Sequence, residues 1–395
     1  MLGAMYCCSG LRCATAQCCA RWIVFVAGLI LGSTLAAQTL SRTELAFPDL
    51  PGLVTLRCDF HLHTAFSDGR VWPDLRVAEA WRDGLDVIAL TDHLEYLPHK
   101  ADLPVNYARP HEIARAEAEP LGLVVIRGAE ITRGEPPGHL NALFLTNVAA
   151  LDQKDYRVAI SNAFAQGAFI FWNHPGWQQP GHRAVWYAEQ GEFLAKGWLR
   201  GLEIVNGSEY EPIPHQWAIE KQLAILGNSD EHYPIAMSYS MQPGDYRPVT
   251  LVFAKHRSPA SIREALLARR TAVFSAGRLY GEEHYLTPLF QGSLETLNPD
   301  LRFRGKERVL VQVRNRAPLD FQLRFDSSVP GLRLPHEATL AAGKVSSFAL
   351  NSVSGQVTGG RELSLPCTVL NLLVAPDKPL HTTLELKVKF ERAAK

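Results

Sequence analysis

Between Val54 and Phe274, short apolar runs alternate with stretches whose apolar positions recur three and four residues apart. The runs at 54–60, 86–90, 123–126, 140–145, 169–172, 202–205 and 224–226 have the length and composition of buried strands. Residues 75–82, 112–119, 156–166 and 216–222 carry the helical pattern between several of them. After a further run at 249–254, Ser258 is placed to cap a helix over 258–269, with Ala265, Leu266 and Leu267 on its apolar face. Alternation at this spacing predicts an α/β architecture with parallel strands, and the number of units suits a barrel better than an open sheet.

Past Gly281 the period changes. Residues 309–313 are rich in β-branched side chains, and 384–390 alternate strictly between apolar and charged positions. Turn formers at Pro330-Gly331, Ala342-Gly343 and Gly359-Gly360 separate the apolar runs. The pattern predicts a small all-β sandwich. The expected divisions are a barrel over 50–282 and a β-sandwich over 288–395.

The first forty residues read differently. Arg12 and Arg21 precede an apolar run at 22–31 that ends in small residues, the layout of a secretory signal over 1–37 with cleavage after Ala36 or Ala37. The run is short for a membrane span, although an uncleaved anchor is the competing reading, and Met5 is an alternative start. Export to the periplasm or the medium is the expectation, with no stable membrane partner once the signal is removed. Five of the seven cysteines lie in that leader. An oxidising compartment permits a disulfide between the remaining Cys58 and Cys367, but a buried free thiol is the ordinary reading of Cys58 in its apolar strand. Lys+Arg 40 balance Asp+Glu 40, so no global field recruits a nucleic-acid polymer. No phosphate-cradling glycine loop opens a helix, which argues against nucleoside triphosphate chemistry.

The chemistry lies where the strands end. His61 and His63 follow the first run, two apart on an extended chain and so able to face one point, and Asp68 lies in the loop beyond. The second run ends in Thr91-Asp92-His93 and the third in Gly128-Ala129-Glu130; His139 precedes the fourth. The fifth ends in Asn173-His174-Pro175, and Asp230-Glu231-His232 follow the run at 224–226. Any one of these is easily a satisfied core histidine or acid. The set is not, because ionisable groups at this density require cationic charge among them. Imidazole and carboxylate suit Zn²⁺ or Mn²⁺, with Fe as a further candidate.

In order, Asp-Phe-His-Leu-His-Thr with Ser-Asp-Gly, Thr-Asp-His, Gly-Ala-Glu, Gly-His-Leu-Asn, Asn-His-Pro and Ser-Asp-Glu-His resemble the motifs of the polymerase and histidinol phosphatase (PHP) family. The resemblance covers residues 54–280 and is most similar to an exported phosphodiesterase branch with an extra C-terminal β domain. It implies a distorted (β/α)₇ barrel and two or three divalent metal ions. By the same resemblance His61, His63, Glu130 and Asp230 hold one ion. Glu130 bridges to a second with His139 and His174, while Asp68, His93 and His232 hold a third. Some relatives carry His where this chain has Asp68, still an oxygen ligand. The implied reaction is hydrolysis of small organic phosphodiesters by metal-activated water.

Around this set, His99, Lys100, Arg133 and Arg183 are candidates to contact phosphate, and His99 or His215 to protonate the leaving group. An exposed side chain is at least as ordinary a reading for each. Asp92 is placed to orient a ligand imidazole. Trp172, Trp177 and Trp186 lie near His174, where core packing is the ordinary reading and a substrate wall the alternative. The loop over 134–138 is either a rim element or a connector. Two other functions compete: a phosphomonoesterase on the same site, and a non-catalytic, metal-stabilised binding protein.

Overall fold

The computed structural model describes residues 41–391 except 243, 299, 326–328 and 354–358. The expected secretory signal therefore lies outside the described residues. No described helix is long and apolar enough to cross a membrane.

The α/β part is built from β1 (Val54–Asp59), α1 (Pro73–Arg82), β2 (Val87–Leu90), α2 (Arg109–Leu121), β3 (Val124–Ile131) and β4 (Leu140–Leu143). There follow α3 (Tyr156–Ala165), β5 (Phe169–Trp172), α4 (Ala188–Ala195), β6 (Leu199–Asn206), β7 (Glu209–Tyr210), α5 (Pro212–Lys221) and β8 (Ala224–Asn228). Most of the strands are short, and β2, β4, β5 and β8 are buried along their whole length. This is why they read as continuous apolar runs rather than alternating ones. Hydrogen-bonded neighbours run β1-β2-β3-β4-β5-β6, and β8 pairs β6.

The sheet is mixed, against the parallel expectation. Strand β4 is antiparallel to both β3 and β5, because the connection 132–139 is too short for a helical crossover, which needs about a dozen residues. On the other side of β1 stand β9 (Val249–Ala254), β10 (Thr271–Ser275) and β11 (Arg278–Gly281), joined successively antiparallel. Helix α6 (Pro259–Leu267) links β9 to β10, and the Ser258 side chain accepts from Ser261 N at its start.

Strand β8 makes no ladder with β1 or β9. Instead the Thr250 hydroxyl bonds both Gly227 N and Gly227 O, each at 2.9 Å. A Cβ on Gly227 would stand 2.2 Å from Val273 Cγ1, so only glycine lets β8 sit this close to β10. Beyond their ends the two chains do meet. Asp230 N donates to His61 O at 2.9 Å and His63 N to Glu231 O at 3.2 Å.

Helix α7 (Glu283–Ser293) leads into the all-β part: β12 (Leu294–Thr296), β13 (Asp300–Arg304), β14 (Arg308–Asn315), β15 (Phe321–Arg324), β16 (Leu332–Arg333), β17 (Glu337–Leu340), β18 (Val345–Ser352), β19 (Gly359–Ala375) and β20 (Lys378–Glu391). One sheet is β12-β14-β18-β16; the other joins β13, β20, β19, β15 and β17. The alternation along β14 and β20 places one side of each strand in the core between them.

The two parts share structure. Strand β19 pairs in parallel with β11 through Leu279 and Leu372. Phe290 of α7 meets Phe321 of β15 with ring centroids 5.0 Å apart, and one apolar cluster runs from Leu251 and Phe274 to Leu323 and Leu365. Cys58 and Cys367 are both buried free thiols, so the permitted disulfide does not form.

Candidate metal centre

All nine expected ligand side chains gather where β1, β2, β3, β5 and β8 end and β4 begins. His61 Nε2 lies 3.2 Å from Glu130 Oε2 and 3.0 Å from Asp230 Oδ1; His63 Nε2 lies at the same two distances from the same atoms. On the other side of Glu130, Oε1 is 2.6 Å from His139 Nδ1 and 4.0 Å from His174 Nε2. Asp68 bridges His93, 3.5 Å from Nε2, and His232, 3.3 Å from Nε2. Within each of four overlapping groups (His61, His63 and Asp230; His61, Glu130 and His174; His93, Glu130 and His139; His63, Asp68, His93 and His232) the donor atoms lie within 4.8 Å of one another.

The donor set fits cations. His63 Nε2, Glu130 Oε1, His139 Nδ1 and Asp230 Oδ1 are buried without a hydrogen bond, although each has an opposite partner nearby. Buried polar atoms without hydrogen bonds are costly, and an ion among them would offset that cost. Burial opposes charge on His61, but Asp230, Glu203 and Glu130 override it and hold its pKa well above the ordinary value. Burial likewise opposes charge on His63, yet the Asp230 and Glu130 carboxylates beside it push its pKa up to about 9. Glu130 and Asp230 are held far below the usual carboxylate range by the rings around them, against their burial.

Backbone geometry and buried partners hold the ligands in place. His174 and Asp230 adopt φ of 28° and 53°, left-handed values that cost a non-glycine residue about 1–3 kcal/mol. Glu203, inaccessible on β6, joins several ligands: its Oε1 is 3.2 Å from His61 Nδ1 and accepts from Asn228 at 2.8 Å. Its Oε2 accepts from His174 N and from Asn206 Nδ2, both at 2.9 Å. Asn206 Nδ2 also reaches Asp230 Oδ2 at 3.1 Å. Arg76 of α1 donates to His63 O, Glu231 O and Tyr233 O, clasping the two ligand loops from beneath. Arg247 joins Asp59 at 2.8 Å to Asp83 at 3.2 Å, and Asp59 in turn accepts from Ser229 Oγ and His61 N.

Sequence reasoning passes over Glu203, Arg76 and Arg247. Glu203 carried the same signal as Glu130, a carboxylate inside an apolar run. The two arginines carried none, since helix and loop arginines are ordinarily solvated. Asp92 differs from its expected role. It accepts from Thr64 N at 2.6 Å and Ser67 Oγ at 2.8 Å, so it fixes the loop between His63 and Asp68 and reaches the His63 ring only through Ser67, whose Oγ is 3.5 Å from Nδ1.

The metal-facing groups form the floor of a cleft of about 500 Å³, whose remaining wall is Tyr96, Thr132, Trp177 and Asn206. The expected phosphate contacts do not reach it. Arg133 is engaged by Glu95, Thr132 O and Gln153 O. Arg183 is exposed, and neither it nor His99 nor Lys100 belongs to the wall. His215 is buried in α5, bonded through Nδ1 to the Tyr210 hydroxyl at 2.9 Å, and faces a separate cavity with Thr271 and Lys378. Burial lowers its pKa to about 4, unsuited to a proton donor near neutrality. Trp172 and Trp186 pack with Trp217 in the core, whereas Trp177 stands in the cleft.

This chain is 40% identical to a two-domain protein from Bacteroides vulgatus described as containing a predicted PHP-like metal-dependent phosphoesterase. The match covers 88% of this chain and 100% of that one, with a TM-score of 0.81. An Ig-like domain family, DUF5001, matches residues 296–385. A metal-dependent phosphoesterase of Bifidobacterium adolescentis matches at 19% identity over 44% of this chain and 87% of that one, with a TM-score of 0.35. No curated protein matches the sequence. The likeness to the Bacteroides protein and the cluster of His, Asp and Glu side chains together give the class, a metal-dependent phosphoesterase with a C-terminal Ig-like domain. The chain belongs to the PHP-like metal-dependent phosphoesterases.

Proposed function

We propose that the protein is an exported phosphodiesterase acting on small organic phosphodiesters. The observation that carries this reading is the cleft wall, which contains no lysine or arginine among the described residues. A monoester dianion calls for additional cationic donors, commonly a guanidinium fork, whereas a diester monoanion needs less neutralisation. The candidate Arg133 is already committed to Glu95.

We assign His61, His63, Glu130 and Asp230 to one ion; Glu130, His139 and His174 to a second; and Asp68, His93 and His232 to a third, with His63 also near that group. The α/β part then closes as a distorted seven-stranded barrel across the β1 and β8 ends. When bound, Mn²⁺ or Zn²⁺ ions here supply a water of lowered pKa and neutralise charge on the phosphoryl oxygens. The chain itself does the positioning. Glu203 orients His61 through Nδ1 and anchors the backbone at His174; the contacts of Arg76, Asp92 and Arg247 keep the ligand loops in register.

Export rests on the apolar run at 22–31 and the small residues after it. Mass spectrometry of the secreted or periplasmic protein should find an N-terminus at residue 37 or 38. Hydrolysis of bis(4-nitrophenyl) phosphate and of 4-nitrophenyl phosphate, each with added Mn²⁺ or Zn²⁺, tests the reaction. Preference for the diester is expected, and preference for the monoester would overturn the reading.

A further inference from the structure

Once the metal-facing groups are set aside, little in the cleft is free to recognise the organic part of a substrate. Thr132 Oγ1 is engaged with His93 Nδ1 at 2.6 Å, and its backbone N–H donates to Glu95. Asn206 spends its amide nitrogen on Glu203 and Asp230. That leaves Trp177 and Tyr96. Trp177 meets His139 and His174 edge-on, with centroids 4.9 and 5.1 Å away, and still leaves 44% of its surface exposed. Tyr96 meets His93 at 6.0 Å in the same manner and is 55% exposed. Each ring is therefore braced by ligand imidazoles on one side and open on another. One stands beside the His139 and His174 group, and the other beside the His93 and Asp68 group. Open aromatic surface bordering a polar floor is what a site offers to apolar, planar groups.

We propose, resting on the phosphodiesterase reading, that Trp177 and Tyr96 select phosphodiesters carrying planar aromatic substituents. Trp177 is the platform for the ester arm that is retained, and Tyr96 flanks the opposite side. A dialkyl phosphate would reach the floor but leave both rings in water. An aromatic arm replaces that water with stacking or edge contacts, for which about a tenfold preference is the expected scale. No cation stands in the wall to demand a second charge on the arm, so the favoured arm is neutral.

The test compares two esters with the same leaving group, bis(4-nitrophenyl) phosphate and methyl 4-nitrophenyl phosphate, on the Mn²⁺-loaded full chain. The wild type should favour the diaryl ester in kcat/KM by about tenfold after correction for intrinsic reactivity. Trp177→Ala should erase most of that ratio, Trp177→Phe should keep most of it, and Tyr96→Ala should reduce it. Calorimetry provides a binding readout: diphenyl phosphate should bind more tightly than dimethyl phosphate, and Trp177→Ala should remove the difference. An unchanged aryl-to-methyl ratio in the Trp177→Ala, Tyr96→Ala double variant overturns the proposal while leaving the diesterase reading intact. Failure to hydrolyse either diester would instead remove the reading on which it rests.

Discussion

Glu130 is inaccessible to solvent, and its two oxygens face different sets of rings. Replacing it by alanine removes the acceptor common to both sets and leaves His61 and His139 facing a void. Glu130→Ala should therefore lose metal from two sites together and lower kcat by at least about 10³-fold, with metal content by emission spectrometry as the direct check. Glu203 acts one layer out. Glu203→Gln keeps its shape but removes the charge that orients His61. Metal affinity should fall about 10–100-fold while the fold persists; an unchanged affinity would reduce Glu203 to packing. The raised pKa of His63 has its own consequence. Ions must displace protons that the ring still holds at pH 7, so affinity should rise with pH until the ring titrates near 9. Calorimetry in buffers of differing ionisation enthalpy should register proton release at pH 7 and little above pH 10.

At the scale of elements, the ligands sit at or just beyond strand ends, because a charge within a buried strand needs a full set of partners, as Glu203 midway along β6 has in His61, His174 N, Asn206 and Asn228. The loops beyond are held by buried ions instead. Arg247 is 1% exposed between two inaccessible aspartates. Arg247→Met should leave Asp59 without its cationic partner, while Asp83 keeps Arg82 at 3.0 Å, and cost about 3–5 kcal/mol, readable by urea denaturation. A loss under 1 kcal/mol would show that Asp59 finds another partner. Gly227 is the corresponding close approach between strands. The runs at 169–172 and 249–254 were legible to the residue because they are apolar and bounded by turn formers. Helix α4 and strands β10 and β11 were not assigned, and the direction of β4 was misread, since an apolar run does not reveal which way its neighbours travel.

For the whole molecule, the change of period past Gly281 marked the second fold but not its attachment. Strand β19 continues the sheet through β11, and Phe290 and Phe321 belong to one cluster spanning both parts. A chain ending at residue 282 should expose that cluster and be recovered as aggregate rather than as soluble, active enzyme. Soluble and active truncated protein would make the β part dispensable. Phe321→Ala in the full chain should cost about 3–5 kcal/mol for the same reason.

What the sequence determined by itself was local in pattern: the strand positions, the change of period, and nine histidines and carboxylates at or near the ends of apolar runs. Those signals survive in one dimension because burial and ligation both restrict residue type. Only the tertiary structure decided which carboxylate lies behind His61 and which tryptophan faces the cleft. It also decided that His99, Lys100, Arg183 and His215 lie outside the cleft wall. These are questions of distance between residues far apart in the chain, and a histidine in a cavity wall is spelled the same way as one beside a metal.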